Sequence, residues 1–440
     1  MLGGTVGGLA TTTANLVIQD GLGDTLPIAS NGRFVFPNGL APGDAYTVSV
    51  QTQPGTPAQF CRVSNATGVI SDFDVTNVVI TCLTTGKYLF TVNPYDNSGN
   101  GSVASFTINP STGALTAAAG SPYTPTELQP YYVAVDPTGQ FIYVANSASA
   151  SISTDSVGTG GVLTLDVSTA STGASSNLPF SIAIDSNYLY VGSNNSPNNS
   201  AIEAYTLNGG VLSPAAGTLA ASTYPADNTP YSLAVDASSA LLFGAYLYDG
   251  ELFVDSIGGG GALSPAAGSP FQFQQGAPAN TPYAIALYPG AKFAYVTDSA
   301  ANTVSLYSYT ASGALSLVAV YDQGATLGLA PNGLAVDPTG SFLYVANSGS
   351  GTVSAFTINS ATGVLTPVAG SPFMASGTAS PATPTSVRVD PSAQFAYVTN
   401  GDAGTISAFS IDFATGALTA VGQPLSTIIS GGGPGSLAIE

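Results

Sequence analysis

Short apolar runs that end in an acidic residue recur along the chain at intervals of 49 to 53 residues. Each is followed by a second apolar run built around a Tyr-Val-like pair, with Gly, Asn, Ser and Pro clusters between them. Short β-rich runs at this period, without helical periodicity, are typical of a propeller. With four strands to a unit, the pattern predicts an all-β fold with a seven-bladed β-propeller. The seven first runs close at Asp136, Asp185, Asp236, Tyr288, Asp337, Asp390 and Glu440.

The two ends of the repeat region indicate how the ring closes. The chain stops at 436–440, a first strand without the rest of its blade, whereas the repeats begin at 86–90 with a second strand that lacks a first. We predict that the C-terminal strand pairs with the strand at 87–92 and so removes two exposed sheet edges. Deletion of residues 432–440 is expected to lower thermal stability sharply.

Residues 1–85 lie outside the repeat. Apolar and polar positions alternate there, as at Phe34 and Phe36, which is typical of strands with one buried face. The sequence therefore predicts two domains: a small all-β domain at 1–85, interpreted as an immunoglobulin-like sandwich, and the propeller at 86–440.

The chain has two cysteines, Cys61 and Cys82, both in predicted strands of the small domain. An even count, with no histidine in the chain and no metal-type spacing, favours a disulfide over a zinc site. Two free buried thiols are the alternative. A disulfide would indicate an oxidising compartment.

Composition limits the partners. Of 440 residues, 24 are acidic and five are basic, which gives a formal net charge of −19. This field repels phosphate backbones and anionic lipid, so nucleic acid is excluded as a partner. No run of about 18 apolar residues could cross a bilayer, and no basic segment precedes an apolar one at the start. The sequence predicts no transmembrane segment.

Two segments carry a family resemblance: Tyr397-Val398-Thr399-Asn400-Gly401 and Tyr344-Val345-Ala346-Asn347. They resemble the YVTN repeat of bacterial seven-bladed propellers of the lactonase group, typified by 6-phosphogluconolactonase. The resemblance covers roughly residues 86–440 and implies the fold, with a polar cluster of His, Arg and acidic residues at the centre of one face. The N-terminal part resembles small β-domains of exported bacterial lipoproteins. This implies export, to the periplasm, the cell surface or the medium.

Repeated polar residues have structural explanations. The sequence Asp-Pro-Thr-Gly that begins at Asp136 and at Asp337 fits a type I turn, in which the Asp side chain accepts hydrogen bonds from the turn backbone. Residues at the ends of second strands are expected to hydrogen-bond the following hairpin backbone. Because such positions recur in many blades, we predict no catalytic role for them. The second-strand residues are Asn93, Asn146, Asp298, Asn347 and Asn400.

One column of the repeat has an exception. Two residues before the closing acid, six units have Ala, whereas the last full unit has Arg388. First strands lie nearest the propeller axis, so we predict that Arg388 reaches the central channel and binds a ligand there. The alternative is a structural Arg that is satisfied by neighbouring carbonyls or acids.

Catalysis has little support in the residues themselves. The chain has no His, so it has neither the usual general base near neutral pH nor an imidazole metal ligand. No catalytic residue, metal or cofactor is predicted. The segment Asp96–Asn100 has oxygen ligands, but Thr107 stands where a calcium loop needs Glu, so a polar hairpin explains it better.

Two functions follow from these observations. The first is a non-catalytic exported propeller that binds copies of itself, another surface protein or a glycan. The alternative is a lactonase-like hydrolase that opens a sugar lactone or similar small lactone, with a carboxylate acting as general base through water.

Overall fold

The computed structural model describes residues 1–10, 16–55, 58–71, 73–94, 100–172, 177–195, 199–215, 229–247, 250–273, 281–322, 327–376, 382–427 and 435–440. In these residues the helical segments are two single 3₁₀ turns, at Thr159–Gly161 and Gly259–Gly261. None of the described helices is long and apolar enough to span a membrane. By its internal contacts the chain divides into two units, residues 1–86 with 391–393 and residues 87–390 with 394–440.

Strands β1 to β9 form the first unit. Their bounds are Leu2–Gly7, Leu16–Gln19, Thr25–Ile28, Gly32–Val35, Ala45–Thr47, Ser49–Thr52, Gln59–Ser64, Thr67–Val69 and Val75–Thr84. One sheet has the order β4-β1-β9-β7 and a second the order β3-β2-β6, while β5 pairs with β8. Alternating apolar side chains from both sheets, such as Leu2 and Ile18, share one core. The immunoglobulin-like topology stays a prediction.

A disulfide joins Cys61 of β7 to Cys82 of β9, which lie opposite each other on adjacent strands. The predicted disulfide is therefore confirmed, and the alternative of two free thiols does not hold. The bond closes a loop with a sequence separation of 21 residues. By the loop-closure relation it stabilises the unit by about 3 kcal/mol.

Seven antiparallel sheets form the second unit, one for each blade, as predicted. The strands of blade 1 are β10 (Tyr88–Asn93), β11 (Ser102–Ile108), β12 (Leu115–Ala117) and β40 (Leu437–Ile439). Those of blade 2 are β13 (Pro130–Val135), β14 (Phe141–Asn146), β15 (Ser151–Val157) and β16 (Leu163–Ser171). Those of blade 3 are β17 (Asn177–Ile184), β18 (Tyr188–Asn195), β19 (Asn199–Asn208) and β20 (Val211–Pro214).

The remaining blades follow in chain order. Blade 4 has β21 (Pro230–Asp236), β22 (Leu241–Tyr246), β23 (Glu251–Ile257), β24 (Leu263–Pro265) and β25 (Phe271–Gln272). Blade 5 has β26 (Pro282–Leu287), β27 (Phe293–Asp298), β28 (Thr303–Tyr309) and β29 (Leu315–Tyr321). Blade 6 has β30 (Pro331–Val336), β31 (Phe342–Asn347), β32 (Thr352–Ile358), β33 (Leu365–Pro367) and β34 (Phe373–Met374). Blade 7 has β35 (Pro384–Val389), β36 (Phe395–Asn400), β37 (Thr405–Ile411), β38 (Leu418–Ala420) and β39 (Leu425–Ser426).

The C-terminal strand closes the ring. β40 pairs antiparallel with β10 and so supplies the inner strand of blade 1. The Glu440 amide donates to the Tyr88 carbonyl oxygen at 3.0 Å, and the Lys87 ammonium lies 2.8 Å from the Glu440 carboxylate. The predicted closure at 87–92 is confirmed, and the open edge of each partner strand is covered.

The tyrosine of the repeated Tyr-Val pair holds neighbouring blades together. The Tyr344 hydroxyl donates to the Gly416 carbonyl oxygen of the next blade at 3.1 Å, and Tyr397 donates to Gly113 of blade 1 at 3.0 Å. Both rings are fully buried, and a buried hydroxyl without a hydrogen-bond partner would be costly. In each case a backbone carbonyl oxygen accepts its hydrogen bond. The motif therefore belongs to the packing between blades. The same ring is buried in other blades at Tyr143, Tyr190 and Tyr295.

The acids that close the inner strands have the predicted structural role. The Asp337 carboxylate accepts hydrogen bonds from the amides of Thr339 at 3.0 Å and Phe342 at 2.7 Å. The Gly340 amide closes the turn on the Asp337 carbonyl oxygen at 2.9 Å, and Gly340 has φ of +71°, which favours glycine. The turn at Asp136 has the same bonds.

The asparagines at the ends of second strands are structural too, but their partners differ from the prediction. The Asn347 side-chain amide donates to the Ser354 hydroxyl at 2.9 Å, and Asn400 donates to Ser407 at 2.9 Å. These partners are side chains on the third strand, not the hairpin backbone. The buried hydroxyls of Ser354 and Ser407 also need a hydrogen-bond partner, and the asparagine amides supply it.

Candidate functional site

The seven inner strands surround a cavity of about 500 Å³ at the propeller axis. Five of the seven inner strands, β13, β21, β26, β30 and β35, start with a proline. The end at which the inner strands start is called here the mouth, and the end at which they reach their closing residue is called the acid end. The cavity receives residues from β13, β17, β21, β26, β30 and β35 and from residues 435–436 just before β40. Its volume is that of a site for a small organic molecule.

Arg388 of β35, the exception in the alanine column, lines this cavity, and its role in ligand binding stays a prediction. Its Nη1 donates to the Val387 carbonyl oxygen at 3.0 Å and its Nη2 to the Tyr132 hydroxyl at 3.1 Å. Tyr132 belongs to blade 2, so the guanidinium of blade 7 reaches past the inner strand of blade 1. The half-buried guanidinium has no carboxylate partner among the described residues. Its remaining N–H groups are donors for an oxygen ligand.

Four aromatic residues form one side of the mouth, and we call them the aromatic half-ring. Each stands five residues before the closing residue of its inner strand, in four consecutive blades. At this position the pairing with the second strand shifts register, so the residue lies in a β-bulge, a feature that redirects side chains. The aromatic half-ring comprises Tyr131, Phe180, Tyr231 and Tyr283.

The members of the aromatic half-ring pack against one another. Tyr131 meets Phe180 edge to face with centroids 5.0 Å apart, and Phe180 stacks on Tyr231 at 6.0 Å with an interplanar angle of 17°. The hydroxyls of Tyr131 and Tyr231 hydrogen-bond each other, and Tyr283 lies 4.8 Å from Tyr231 between centroids. Burial, together with the neighbouring Tyr231, raises the pKa of Tyr283 well above 10, so this hydroxyl stays neutral.

The other side of the mouth is small and polar. The corresponding positions in blades 6, 7 and 1 hold Asn332, Thr385 and Gly435. One residue further along, serines join neighbouring inner strands: the Ser436 hydroxyl accepts from the Val133 amide at 2.9 Å. Such serines are engaged in structural hydrogen bonds and have no base beside them, so they do not form a nucleophile site.

The closing residues themselves stay outside the cavity, although residues just before them, such as Leu287, Val336 and Arg388, line it. Asp337 and its equivalents hold the turns and do not line it. Among the lining residues that the structure describes, the single acid is Asp402, an exposed residue that follows β36 at the mouth, and the single cation is Arg388. The Asp402 amide donates to the Thr383 hydroxyl at 2.7 Å, and the residue lines the same cavity as Arg388.

The sequence located one residue of this site and missed the others. Arg388 was detectable because it interrupts a column of alanines. The aromatic half-ring has an equally periodic signal, four aromatics in consecutive units, but the β-bulge that places it at the mouth has no sequence signature. Asp96 and its neighbours to 99 lie outside the described residues. Elsewhere in the described chain no cluster of three potential metal ligands occurs.

Comparison with known proteins identifies the fold family. The family described as lactonase, seven-bladed β-propeller, matches residues 59–179 and 163–424. No curated protein matches the chain at a significant level. Among solved structures, a putative 6-phosphogluconolactonase from Bacteroides fragilis is 18% identical with a TM-score of 0.65, covering 81% of this chain and 98% of that one.

Two further structures are similar. The periplasmic gluconolactonase of Pseudomonas aeruginosa is 19% identical with a TM-score of 0.65, over 80% of this chain and 98% of that one. A hypothetical selenium-binding protein from Sulfolobus tokodaii is 9% identical with a TM-score of 0.57, over 81% and 94%. At such identities the likeness shows the fold alone. The family match, however, spans most of the sequence, and the chain belongs to the lactonase family of seven-bladed β-propellers.

Proposed function

We propose that the axial cavity binds and hydrolyses a small lactone. The observation that carries this proposal is Arg388: a half-buried guanidinium on a cavity of about 500 Å³, without a carboxylate partner among the described residues. A partly buried charge that has hydrogen-bond partners but no counter-ion is complemented by an anionic ligand. Membership of the lactonase family makes a lactone, which opens to a carboxylate, the substrate class that fits.

The reaction needs few groups. Water attacks the acyl carbon, the acyl carbon–oxygen bond of the ring breaks, and the ring oxygen takes a proton to become an alcohol. The product is a hydroxy carboxylate and one released proton. The N–H groups of Arg388 stabilise the carbonyl oxygen as it gains charge and then hold the carboxylate. Asp402 is assigned the role of general base through the attacking water.

Acid release tests this proposal. Purified protein is incubated in a pH-stat with a panel of γ- and δ-lactones, including glucono-δ-lactone. We expect hydrolysis above the uncatalysed rate, a fall in kcat/KM of about 100-fold in Arg388→Gln, and a fall of at least about 10-fold in kcat for Asp402→Asn. Arg33→Gln, at an exposed position of the first unit, is the control and should match wild type. No rate above the uncatalysed one for any lactone would overturn the proposal.

Binding without turnover is the second candidate. It is favoured by the absence of His from the sequence, since no imidazole can serve as a base. The aromatic half-ring and Arg388 would then hold a surface partner, such as a glycan, without changing it. Saturable binding of a hydroxy acid or glycan, combined with no acid release, would distinguish this function from hydrolysis.

Export is part of the proposal. The Cys61–Cys82 disulfide supports it, because such bonds persist in oxidising compartments. One structural neighbour is named a periplasmic protein. Protein isolated from its native cells should contain no thiol titratable after unfolding without reductant. Two titratable thiols per chain would contradict export.

A further inference from the structure

The mouth of the cavity is divided into two halves of different chemistry. The aromatic half-ring occupies blades 2 to 5, whereas Asn332, Thr385 and Gly435 occupy the equivalent places in blades 6, 7 and 1, and of these three Thr385 and Gly435 line the cavity. Arg388 lies in blade 7, on the polar half. Its guanidinium nevertheless reaches Tyr132 of blade 2, the residue next to Tyr131 of the aromatic half-ring, so a ligand whose carboxyl end meets Arg388 lies beside the aromatic rings.

The aromatic half-ring offers an uncharged wall. The Tyr131 and Tyr231 hydroxyls are bonded to each other, which leaves ring faces and edges for contact with a ligand. The ring packing from Tyr131 through Phe180 and Tyr231 to Tyr283 is continuous, with centroids 4.8 to 6.0 Å apart along it. Such a wall is formed before the ligand arrives, so little side-chain freedom is lost on binding.

A second anionic group on the ligand has no partner here. Arg388 is the single cation among the described lining residues, Asp402 is an acid, and the chain carries a net charge of −19. A phosphate group would add about two negative charges to a ligand whose carboxyl end already uses the guanidinium. The surrounding field and the uncompensated charge both oppose it.

We propose that the substrate is a lactone with an uncharged aryl substituent, which packs on the aromatic half-ring while the lactone carbonyl meets Arg388, and that phosphorylated sugar lactones are poor substrates. This inference rests on the proposed lactone hydrolysis. Each added ring contact raises affinity by about 2- to 10-fold. A phenyl group that touches two rings should therefore raise kcat/KM by about 10-fold or more over a methyl group.

The test compares lactones that differ at one substituent. The probes are γ-phenyl-γ-butyrolactone, γ-methyl-γ-butyrolactone and 6-phosphoglucono-δ-lactone, each corrected for its uncatalysed hydrolysis. We expect kcat/KM to fall in that order, with at least about 10-fold between phenyl and methyl. In Tyr231→Leu and Phe180→Leu this ratio should drop to about 3-fold or less. Phe73→Ala, which removes an aromatic side chain 81% exposed in the first unit, is the control.

The outcomes separate this inference from the proposed function. If lactones are opened but the phosphorylated one is best, or phenyl and methyl are equal, the aryl preference is overturned and lactone hydrolysis stands. If no lactone is opened, the proposed hydrolysis is overturned. The affinities of the unaltered protein for the two ring-opened acids, phenyl and methyl, then test the role of the aromatic half-ring. A Kd for the phenyl acid at least about 10-fold lower supports the role of the half-ring, and equal values overturn it. This binding comparison needs no variant to fold.

Discussion

The two ends of the inner strands differ in how strictly the repeat is kept. At the acid end, Asp136 and Asp337 form the same turn with the same hydrogen bonds, and Asp390 accepts from the equivalent amide of Phe395. At the mouth, the equivalent positions change from aromatic in blades 2 to 5 to small or polar in the other three. A residue that recurs from blade to blade has a structural role within the blade. A residue that differs between blades is not bound to that role and can contact a ligand at the axis. The cavity accordingly takes the aromatic half-ring from the mouth, whereas none of the closing residues lines it.

Removal of the closing strand should have the largest effect on thermal stability, because it deletes the whole inner strand of blade 1, from its mouth to its acid end. Deletion of residues 435–440 breaks the pairing of β40 with β10 and exposes the edges of blade 1. We expect the melting temperature to fall by at least about 10 °C, or the protein to aggregate. Calorimetry of the truncated chain measures this. Glu440→Gln, which keeps the strand, is the matched control, and an unchanged melting temperature in the truncated chain would contradict ring closure.

Asp155 is a position at which one blade departs from the repeat, and it tests whether all such positions belong to the ligand site. It lies in β15, is 1% exposed and does not line the cavity, whereas the corresponding residue in several other blades is aromatic, as in Phe106 and Phe356. Burial, and then the nearby Asp166 carboxylate, raises its pKa to about 7, against a hydrogen bond from the Asp166 amide that lowers it. Its ionised form is therefore unfavourable in the folded chain.

The pH dependence follows from that raised pKa. The folded state holds the Asp155 proton up to about pH 7, whereas the unfolded state releases it near its ordinary pKa of about 3.9. Stability should therefore fall as pH rises from about 4 to 7 and stay low above that. Asp155→Asn should raise the free energy of unfolding at pH 8 by roughly 1 to 4 kcal/mol and leave lactone turnover unchanged. Urea titrations at pH 5.5 and pH 8 measure the first effect.

The matched control for this change is Asp322→Asn, at an exposed carboxylate, which should alter the free energy of unfolding at neither pH. A wild-type protein that is more stable at pH 8 than at pH 5.5, with no gain in Asp155→Asn, would contradict the assignment. A loss of turnover in Asp155→Asn at unchanged stability would mean that irregular positions away from the cavity also serve the ligand.

A pair of substitutions on one strand compares the two ends directly. Asp337→Ala removes a buried acceptor of three hydrogen bonds and should lower the free energy of unfolding by about 1 to 3 kcal/mol without changing KM. Asn332→Ala, at the mouth of the same strand, should cost under about 1 kcal/mol, because its side chain is only half-buried. Urea denaturation of both variants tests this order. Equal losses would remove the distinction between the ends.

The smallest effect is expected for the ion pair at the closure. The Lys87 side chain is 56% exposed, so its pairing with Glu440 is screened by solvent. Lys87→Gln should lower the free energy of unfolding by less than about 1 kcal/mol, and the difference should vanish in high salt. A loss as large as that of the strand deletion would show that the side chains, not the backbone pairing, hold the ring closed.

Much of the fold could be predicted from the sequence because the signals of the repeat are local. They are the apolar strand runs, the turn residues between them and an incomplete first unit. The site depends on long-range placement. Arg388 and Tyr132 are 256 residues apart, and only ring closure brings blade 7 within reach of blade 2. Composition also favoured a non-catalytic protein, because His is absent, whereas the family match favours a lactonase. Periodicity predicts which residues are repeated, but it does not show which side chains the β-bulges turn toward the axis.

The most direct test of the account is the affinity of the wild-type protein and of Arg388→Gln for a ring-opened hydroxy acid, measured by isothermal titration calorimetry at pH 7.5. The central claim is that this guanidinium, which lines the cavity without a carboxylate partner among the described residues, holds the carboxylate of the ligand. We predict saturable binding with one site per chain, weakened at least about 30-fold in Arg388→Gln at an unchanged melting temperature. Equal affinity in the two proteins, or binding to neither, would contradict it.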